Sequence, residues 1–313
     1  MNHSKLKRIL ILGAGGFIGR NLSTYLKQKD YEIIEADINH DCACRIDALD
    51  KSQVEKVLKE IRPDVVYNLI GYTNESYPEM VYRLNIFPFI NVVQSVKELG
   101  LTVRVITIGS AAEYGHVKRQ PSPLKEDDIK LPISHYGVSK HTQTMIARLF
   151  FKSNGLDIIV ARPFNILGPG MPKHAVPACF IAQFLGGETR DGNKIIRTRD
   201  LDSVRDFLTV DDVIAGLYQI MVGGVSGESY NICSGKGISV HDIFDIIAGS
   251  FTKTRYILNE EKENRNTGNI PWSIGDNSKL IGLGWKPEGS IADEIRKMVD
   301  IMRGELKENR SAG

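Results

Sequence analysis

No stretch of this chain is apolar for long. The first strand-like run, residues 9–12, is short, and nothing approaches the roughly 20 consecutive apolar residues that a bilayer span requires. Neither a signal peptide nor a membrane anchor is expected. Cysteine is scarce: 4 in 313 residues, at Cys42, Cys44, Cys179 and Cys233. They form no regular framework, and a chain of this length needs no disulfide staples, so a reducing, cytoplasmic setting is expected. His40, Cys42 and Cys44 do make an H-x-C-x-C run. With no second C-x-C or C-x-x-C to complete a tetrahedral set, the run reads as a surface loop and no metal is expected. An excess of one charge is missing too: 40 Lys and Arg stand against 38 Asp and Glu, a formal net charge of +2. The basic clusters Lys5-Leu6-Lys7-Arg8 and Lys118-Arg119 are short enough to be solvated faces, so no nucleic-acid partner is expected. Repeats and low-complexity segments are also absent, which excludes solenoid and disordered classes.

What the chain does have is alternation. Residues 8–12 (RILIL), 32–36, 64–69, 104–108 (RVITI) and 157–161 read as buried strands. Residues 20–29, 53–62, 85–99 and 137–152 read as the helices between them. In the second of these Val54, Val57, Leu58 and Ile61 share one face, and Pro63 stops it. Such regular strand–helix alternation defines an α/β fold with a doubly wound parallel sheet of Rossmann type. Past about residue 163 the regularity breaks, at Gly168-Pro169-Gly170, Pro172 and Gly186-Gly187. Residues 211–222, 239–250 and 291–308 still read as helices, and 229–232 as a strand. The expected organisation is a dinucleotide-binding domain from 1–165 plus about 207–232. A smaller, interleaved α/β lobe comprises about 166–206 plus 233–313.

The loop Gly13-Ala14-Gly15-Gly16-Phe17-Ile18-Gly19 follows the first strand and opens the first helix. Glycines at this spacing permit a sharp turn and a close backbone approach to a pyrophosphate, which the helix N-terminus then attracts. Asp37 ends the second strand, where a carboxylate bonds both ribose hydroxyls of NAD and repels a 2′-phosphate. NAD(H) is therefore favoured, although Arg20 and Arg45 keep NADP(H) possible. Asp47 is a candidate near the adenine, and Asp50 a candidate cap for the next helix.

The strongest signal is Ser134-His135-Tyr136-Gly137-Val138-Ser139-Lys140. Tyr136 and Lys140 are four apart and share a helix face. An ammonium and a helix N-terminus nearby both favour tyrosinate, so the tyrosine pKa is expected to fall from about 10. Ser110, in GSAAEYG, ends the fourth strand at the rim where open α/β sheets bind ligands. There it can bond a substrate oxygen that gains or loses a proton.

Together these residues, with Asn85, resemble the marker set of the extended short-chain dehydrogenases/reductases. Arg162-Pro163-Phe164-Asn165, Gly168-Pro169-Gly170, Val204-Arg205-Asp206-Phe207, Tyr230-Asn231 and Gly284-Trp285-Lys286-Pro287 agree, so the resemblance covers nearly the whole chain. Within that family GSAAEYG, YGVSK, RPFNILGPG and SVRDF are most similar to the GDP-4-keto-6-deoxy-mannose reductases. The resemblance implies Ser110, Tyr136 and Lys140 as catalytic triad, the last two also touching the cofactor beside Asn85. It implies a nucleotide-diphosphate sugar held by Asn165 and Arg205, with Lys173, His174 and Arg265 as further contacts. An arginine fork suits a diphosphate; a structural ion pair of Arg205 with Asp206 or Asp211 is the alternative. Ala111 and Ala112, beside the substrate, stand where dehydratases of the family carry an Asp-Glu pair, so elimination is poorly served. Residues 265–269 (RNTGN) depart from the usual R-P-x-D/E pattern. The activity implied is reduction of the 4-keto group of a nucleotide-linked 4-keto-6-deoxy sugar. A 4-epimerase that retains its NAD is the alternative, and a non-catalytic NAD-binding partner protein a third.

Residues 85–99 carry Phe87, Phe89, Ile90, Val93 and Val96. Residues 137–152 carry Val138, Met145, Ile146, Leu149, Phe150 and Phe151. That is more apolar surface than one sheet-facing stripe needs, so a homodimer through these two helices is expected. A wide core-facing stripe on a monomer is the alternative.

Overall fold

The computed structural model describes residues 7–38, 42–116, 122–260 and 270–311. The expectations placed on Lys5, Leu6, His40, Lys118, Arg119 and Arg265 fall outside the described residues.

Seven strands form the main sheet: β1 (Lys7–Leu12), β2 (Tyr31–Asp37), β3 (Cys44–Arg45), β4 (Val65–Asn68), β5 (Arg104–Ile108), β6 (Ile158–Pro163) and β11 (Ser229–Ile232). Their order is β11-β6-β5-β4-β1-β2-β3, and every pair is parallel. β1 is central, with Ile9 set against Ile33 of β2 on one side and Val65 of β4 on the other. The inner strands β1, β4, β5 and β6 are buried on both faces and so read as near-continuous apolar runs rather than alternating ones. The chain winds outward from β1 through β2 and β3, then returns to β4 and winds the other way. This reversal puts a crevice at the carboxyl ends of β1 and β4, the place where such sheets bind ligands.

Helices cover both faces. α1 (Phe17–Lys27) and α6 (Val210–Gly223) lie on one, and α2 (Lys51–Ile61), α3 (Pro78–Glu98) and α4 (His135–Asn154) on the other. In α1, Leu22 and Leu26 are fully buried one turn apart, each worth about 1.5–3 kcal/mol of apolar transfer. Asp50 caps α2, its side chain accepting from Ser52 N, and Arg62 in the left-handed region ends it. α3 starts seven residues before the expected 85, because Pro78 occupies the first helical turn, where its missing N–H costs nothing. α4 likewise starts two residues early, at the Ser134 cap.

The rest of the chain adds β7 (Asn165–Leu167), α5 (Val176–Gly186), β8 (Thr189–Arg190), β9 (Asn193–Thr198) and β10 (Val204–Thr209). Beyond β11 come β12 (Gly237–Ser239), α7 (Val240–Gly249), β13 (Tyr256–Glu260), β14 (Trp272–Ser273), α8 (Ser278–Ile281) and α9 (Ile291–Ser311). β10 is the hub: it pairs with β7 and β14 in parallel and with β12 antiparallel. A separate core around Phe180, Phe184, Phe244 and Phe251 joins α5, α7 and α9; Phe184 stacks on Phe251 at 4.7 Å. Among the described residues no helix is long and apolar enough to cross a membrane.

Candidate active site

The glycine loop sits in the crevice. Gly13 has φ +84°, and a Cβ there would come within 3.0 Å of the backbone of Leu69 and Ile70, at the end of β4. A Cβ on Gly19 would overlap the Gly13 carbonyl, so the helix packs on the loop only with glycine there. No side chain caps α1, whose N-cap is Gly16. Its first-turn N–H groups are thus offered to an anion. Beside the loop is a cavity of about 230 Å³, lined by Gly13, Gly16, Asp37, Asp47, Ile70 and Pro88 among others. Asp37 accepts from Gly15 N at 2.9 Å, so its carboxylate holds the loop as well as facing the cavity. Asp47 accepts from Leu49 N at 3.0 Å and lines the same cavity, while Asp50 takes the capping role. The fit to a dinucleotide is good: an uncapped helix end, glycines at 13 and 16 in the cavity lining, and the carboxylates of Asp37 and Asp47 in the same lining.

Asn85 lies deeper. Its Oδ1 accepts from Tyr72 N at 2.7 Å, and its Nδ2 donates to Tyr72 O and Ser139 Oγ. The amide is fully engaged, so any part in cofactor binding runs through the 71–72 backbone it braces.

Across the crevice, Ser134 caps α4 by accepting from Gly137 N. Tyr136 is then in the first turn and Lys140 one turn on, with Nζ 5.9 Å from the Tyr136 ring centre. Lys140 is buried and donates to Ile108 O at 3.0 Å and Gln143 Oε1 at 3.2 Å. Burial pulls its pKa down to about 8, partly opposed by the Glu113 charge. Tyr136 contradicts the expected fall. Burial pushes its pKa up to about 12; a hydrogen bond with the Ser110 side chain works the other way, and the charge of Glu113 adds to the rise. Desolvation of the phenolate outweighs the Ser110 hydrogen bond that opposes it. Ser110 itself caps a single 3₁₀ turn, Ala111–Glu113, its Oγ accepting from Ala112 N.

Two carboxylates here escaped sequence reasoning. Glu75, on the β4–α3 loop, accepts from Tyr136 N at 2.8 Å. Glu113 is fully buried against Arg162, with Oε2 to Nη2 at 3.0 Å, and that ion pair holds the carboxyl down to about 2 despite desolvation. The one available signal was a glutamate inside the motif GSAAEYG, five positions after the end of β5.

Further along, the same rim carries the residues expected at the substrate. Asn165 on β7 donates to Asp206 O at 2.9 Å. Arg205 on β10 is half-buried, its Nη1 donating to Val204 O; burial lowers its pKa. Among the described residues no ion pair joins it to Asp206 or Asp211. Adjacent strand residues face opposite ways, and the Asp206 carboxylate accepts instead from Ser234, Gly235 and Gly275. His174 bridges to the β4–α3 loop, Nε2 to Thr73 Oγ1 at 3.1 Å; Lys173 beside it is exposed. Among the described residues no three His, Cys, Asp or Glu side chains are grouped to hold a metal, and Cys44, Cys179 and Cys233 carry free thiols.

A tyrosine placed to move a proton, on the rim that also offers a dinucleotide its phosphate cradle, defines a class. These are nicotinamide-dependent enzymes that exchange hydride and proton with a carbonyl or carbinol. The model of the NAD dependent epimerase/dehydratase family matches residues 9–233, and the chain belongs to that family. It is 29% identical to the GDP-6-deoxy-D-talose 4-dehydrogenase of Aggregatibacter actinomycetemcomitans over 280 residues, 88% of this chain and 90% of that protein. It is 26% identical to the GDP-6-deoxy-D-mannose reductase of Pseudomonas aeruginosa over 307 residues, 96% of this chain and 99% of that protein. The solved structure of RMD from Pseudomonas aeruginosa complexed with NADPH superposes with a TM-score of 0.83 at 25% identity. That match covers 96% of this chain and 99% of the other.

Proposed function

We propose that this protein reduces the 4-keto group of a GDP-linked 4-keto-6-deoxy sugar with NAD(P)H. The observation that carries this is Tyr136 in the first turn of α4, with Lys140 behind its ring and Ser110 beside it, in a site whose neighbours at 111 and 112 are alanines. Such a site can deliver a proton and has no acid–base pair at 111 and 112 for eliminating water. The two relatives above are named for GDP-6-deoxy sugars. When bound, the nicotinamide supplies the hydride to C4. Tyr136 gives its hydroxyl proton to O4, Ser110 orients that oxygen, and Lys140 sits behind the tyrosine as a buried cation. Arg205 and Asn165 take the diphosphate, with Lys173 and His174 at the edge and Arg265 as a further contact. In this reading 1–165 plus 207–232 hold the cofactor and 166–206 plus 233–313 the sugar nucleotide. Free thiols fit a cytoplasmic enzyme.

The test is turnover of GDP-4-keto-6-deoxy-mannose with NADH and NADPH in turn. One reduced cofactor consumed per sugar reduced is the expected result. Interconversion of a nucleotide sugar at C4 without net consumption makes it an epimerase. Tight cofactor binding with no turnover across a nucleotide-sugar panel leaves a non-catalytic partner protein. For cofactor choice, Asp37→Ala should weaken NADH relative to NADPH, because the ribose loses its carboxylate. If titration shows both weakened equally, Asp37 serves the Gly15 loop alone.

The proposed assembly is a homodimer through α3 and α4. Of the apolar residues named for it, Phe89, Val93 and Val96 turn to the core. Phe87 (53% exposed), Met145 (59%) and Leu149 (58%) face outward, along with Val138 and Met80. A seven-residue spacing, from Met80 to Phe87 and from Val138 to Met145, makes one stripe along each helix. Sedimentation should give twice the 34.9 kDa of one chain, and Phe87→Glu should give monomers. A dimer that survives Phe87→Glu puts the interface elsewhere.

A further inference from the structure

A carboxylate removed from water stays charged only when several donors hold it. Glu113 is 0% exposed and has three. Its Oε1 accepts from Ser110 N at 2.9 Å, and its Oε2 accepts from Thr144 Oγ1 at 2.9 Å and Arg162 Nη2 at 3.0 Å. The donors belong to three separate parts of the fold. Ser110 follows β5, Arg162 lies in β6, and Thr144 is one turn beyond Lys140 on α4. Backbone packing confirms how tightly these parts meet. A Cβ on Gly109 would overlap Glu113 Oε1, and a Cβ on Gly137 would collide with the Ala112 carbonyl. The 3₁₀ turn is thus packed on the start of α4 at Gly137, its Glu113 side chain is packed on the end of β5 at Gly109, and one carboxylate ties it to the middle of α4.

We infer that Glu113 is a positioning residue, which sets Ser110 at a fixed distance from the helix that carries Tyr136 and Lys140. A purely structural ion pair would need only Arg162. The bonds to Ser110 N and Thr144 Oγ1 are what connect the pair to the reacting groups. The inference rests on the triad reading above. Its charge also acts at a distance: Glu113 raises the pKa of both Tyr136 and Lys140, favouring the protonated form of each. The other charged or titratable groups around Glu113 are Arg162 from β6, His141 from α4 with Nδ1 at 3.8 Å, and Lys130 from the loop before α4.

Thr144 separates positioning from packing. Thr144→Val keeps the shape and removes the hydroxyl; Thr144→Ser removes a methyl group and keeps the hydroxyl. The full-length enzyme is assayed with keto-sugar and reduced cofactor, and its melting temperature is recorded. Thr144→Val should lose about tenfold in kcat at unchanged cofactor KM, the scale of a small misplacement of reacting groups, while Thr144→Ser stays near wild type. Wild-type kcat in Thr144→Val, or an equal fall in both variants, overturns the inference. Glu113→Gln, if it folds, should move the alkaline limb of the kcat–pH profile to lower pH, and Thr144→Val should leave that limb in place. An unmoved limb in Glu113→Gln removes the electrostatic part. Tyr136→Phe is run in parallel. If it stays active the triad reading fails; if it is inactive while Thr144→Val is fully active, only the positioning role fails.

Discussion

Tyr136→Phe should fold, bind cofactor normally and turn over at least about a hundredfold more slowly, the usual range for losing a general acid. The substitution deletes one oxygen and leaves the ring against Lys140, so packing and the glycine loop stay as they are. What disappears is the proton that the keto oxygen needs as it becomes an alkoxide. With its pKa pushed up to about 12, the Tyr136 hydroxyl is protonated across the physiological range, which suits a donor in the reductive direction. Lys140, near 8, is the group that titrates first as pH rises. Wild-type turnover should therefore decline on the alkaline side as that cation is lost. Single-turnover rates with saturating cofactor decide the matter, and a rate within a few fold of wild type would take Tyr136 out of the mechanism.

Arg162→Met should be the most destabilising single change considered, by about 3–5 kcal/mol, because it leaves a buried carboxylate without its counter-charge. Against a total stability of about 5–15 kcal/mol for a folded domain, that is a large share. The pH dependence should also reverse. In the wild type Glu113 titrates near 2, below its unfolded value of about 4.3. Its contribution is present above the unfolded value and is lost as pH falls toward 2. In Arg162→Met burial is no longer opposed by the guanidinium, the carboxyl pKa rises, and lowering the pH through that raised value should stabilise the fold. Urea midpoints measured at neutral and mildly acidic pH check both statements. A loss under about 1 kcal/mol would show that the pair contributes little.

The elements legible in the sequence were those whose signal is local. β5 falls at residues 104–108 as read, and the parallel sheet follows from strand–helix alternation alone. The glycine loop and the Tyr136/Lys140 pair are legible because their chemistry demands fixed spacing. α5 was missed because its sequence, VPACFIAQFLG, is apolar nearly all round and shows no amphipathic period. β13 was missed for the opposite reason: every residue in it is exposed, so no burial pattern marks it. The direction of the Tyr136 shift could not be read from spacing, since desolvation depends on what the rest of the chain stacks over the phenol. Glu113 carries the same lesson. A glutamate between alanine and tyrosine looks like surface until Arg162, 49 residues later, is found beside it.

The pairing of β11 with β6 has a consequence for how the chain comes off the ribosome. Residues 164–228 lie between these neighbouring strands, so the sheet cannot be closed on that side until all of them have been made. At about 5–20 residues per second this leaves β6 as an open apolar edge for several seconds. An unpaired strand edge of that kind is what chaperones bind and what other nascent chains can pair with. The same order of synthesis argues against truncation: a fragment ending near residue 165 would contain the glycine loop and the tyrosine but would present β6 permanently unpaired. Expression trials aimed at a minimal cofactor-binding unit should therefore retain the chain through β11, with α6 covering the face that it completes.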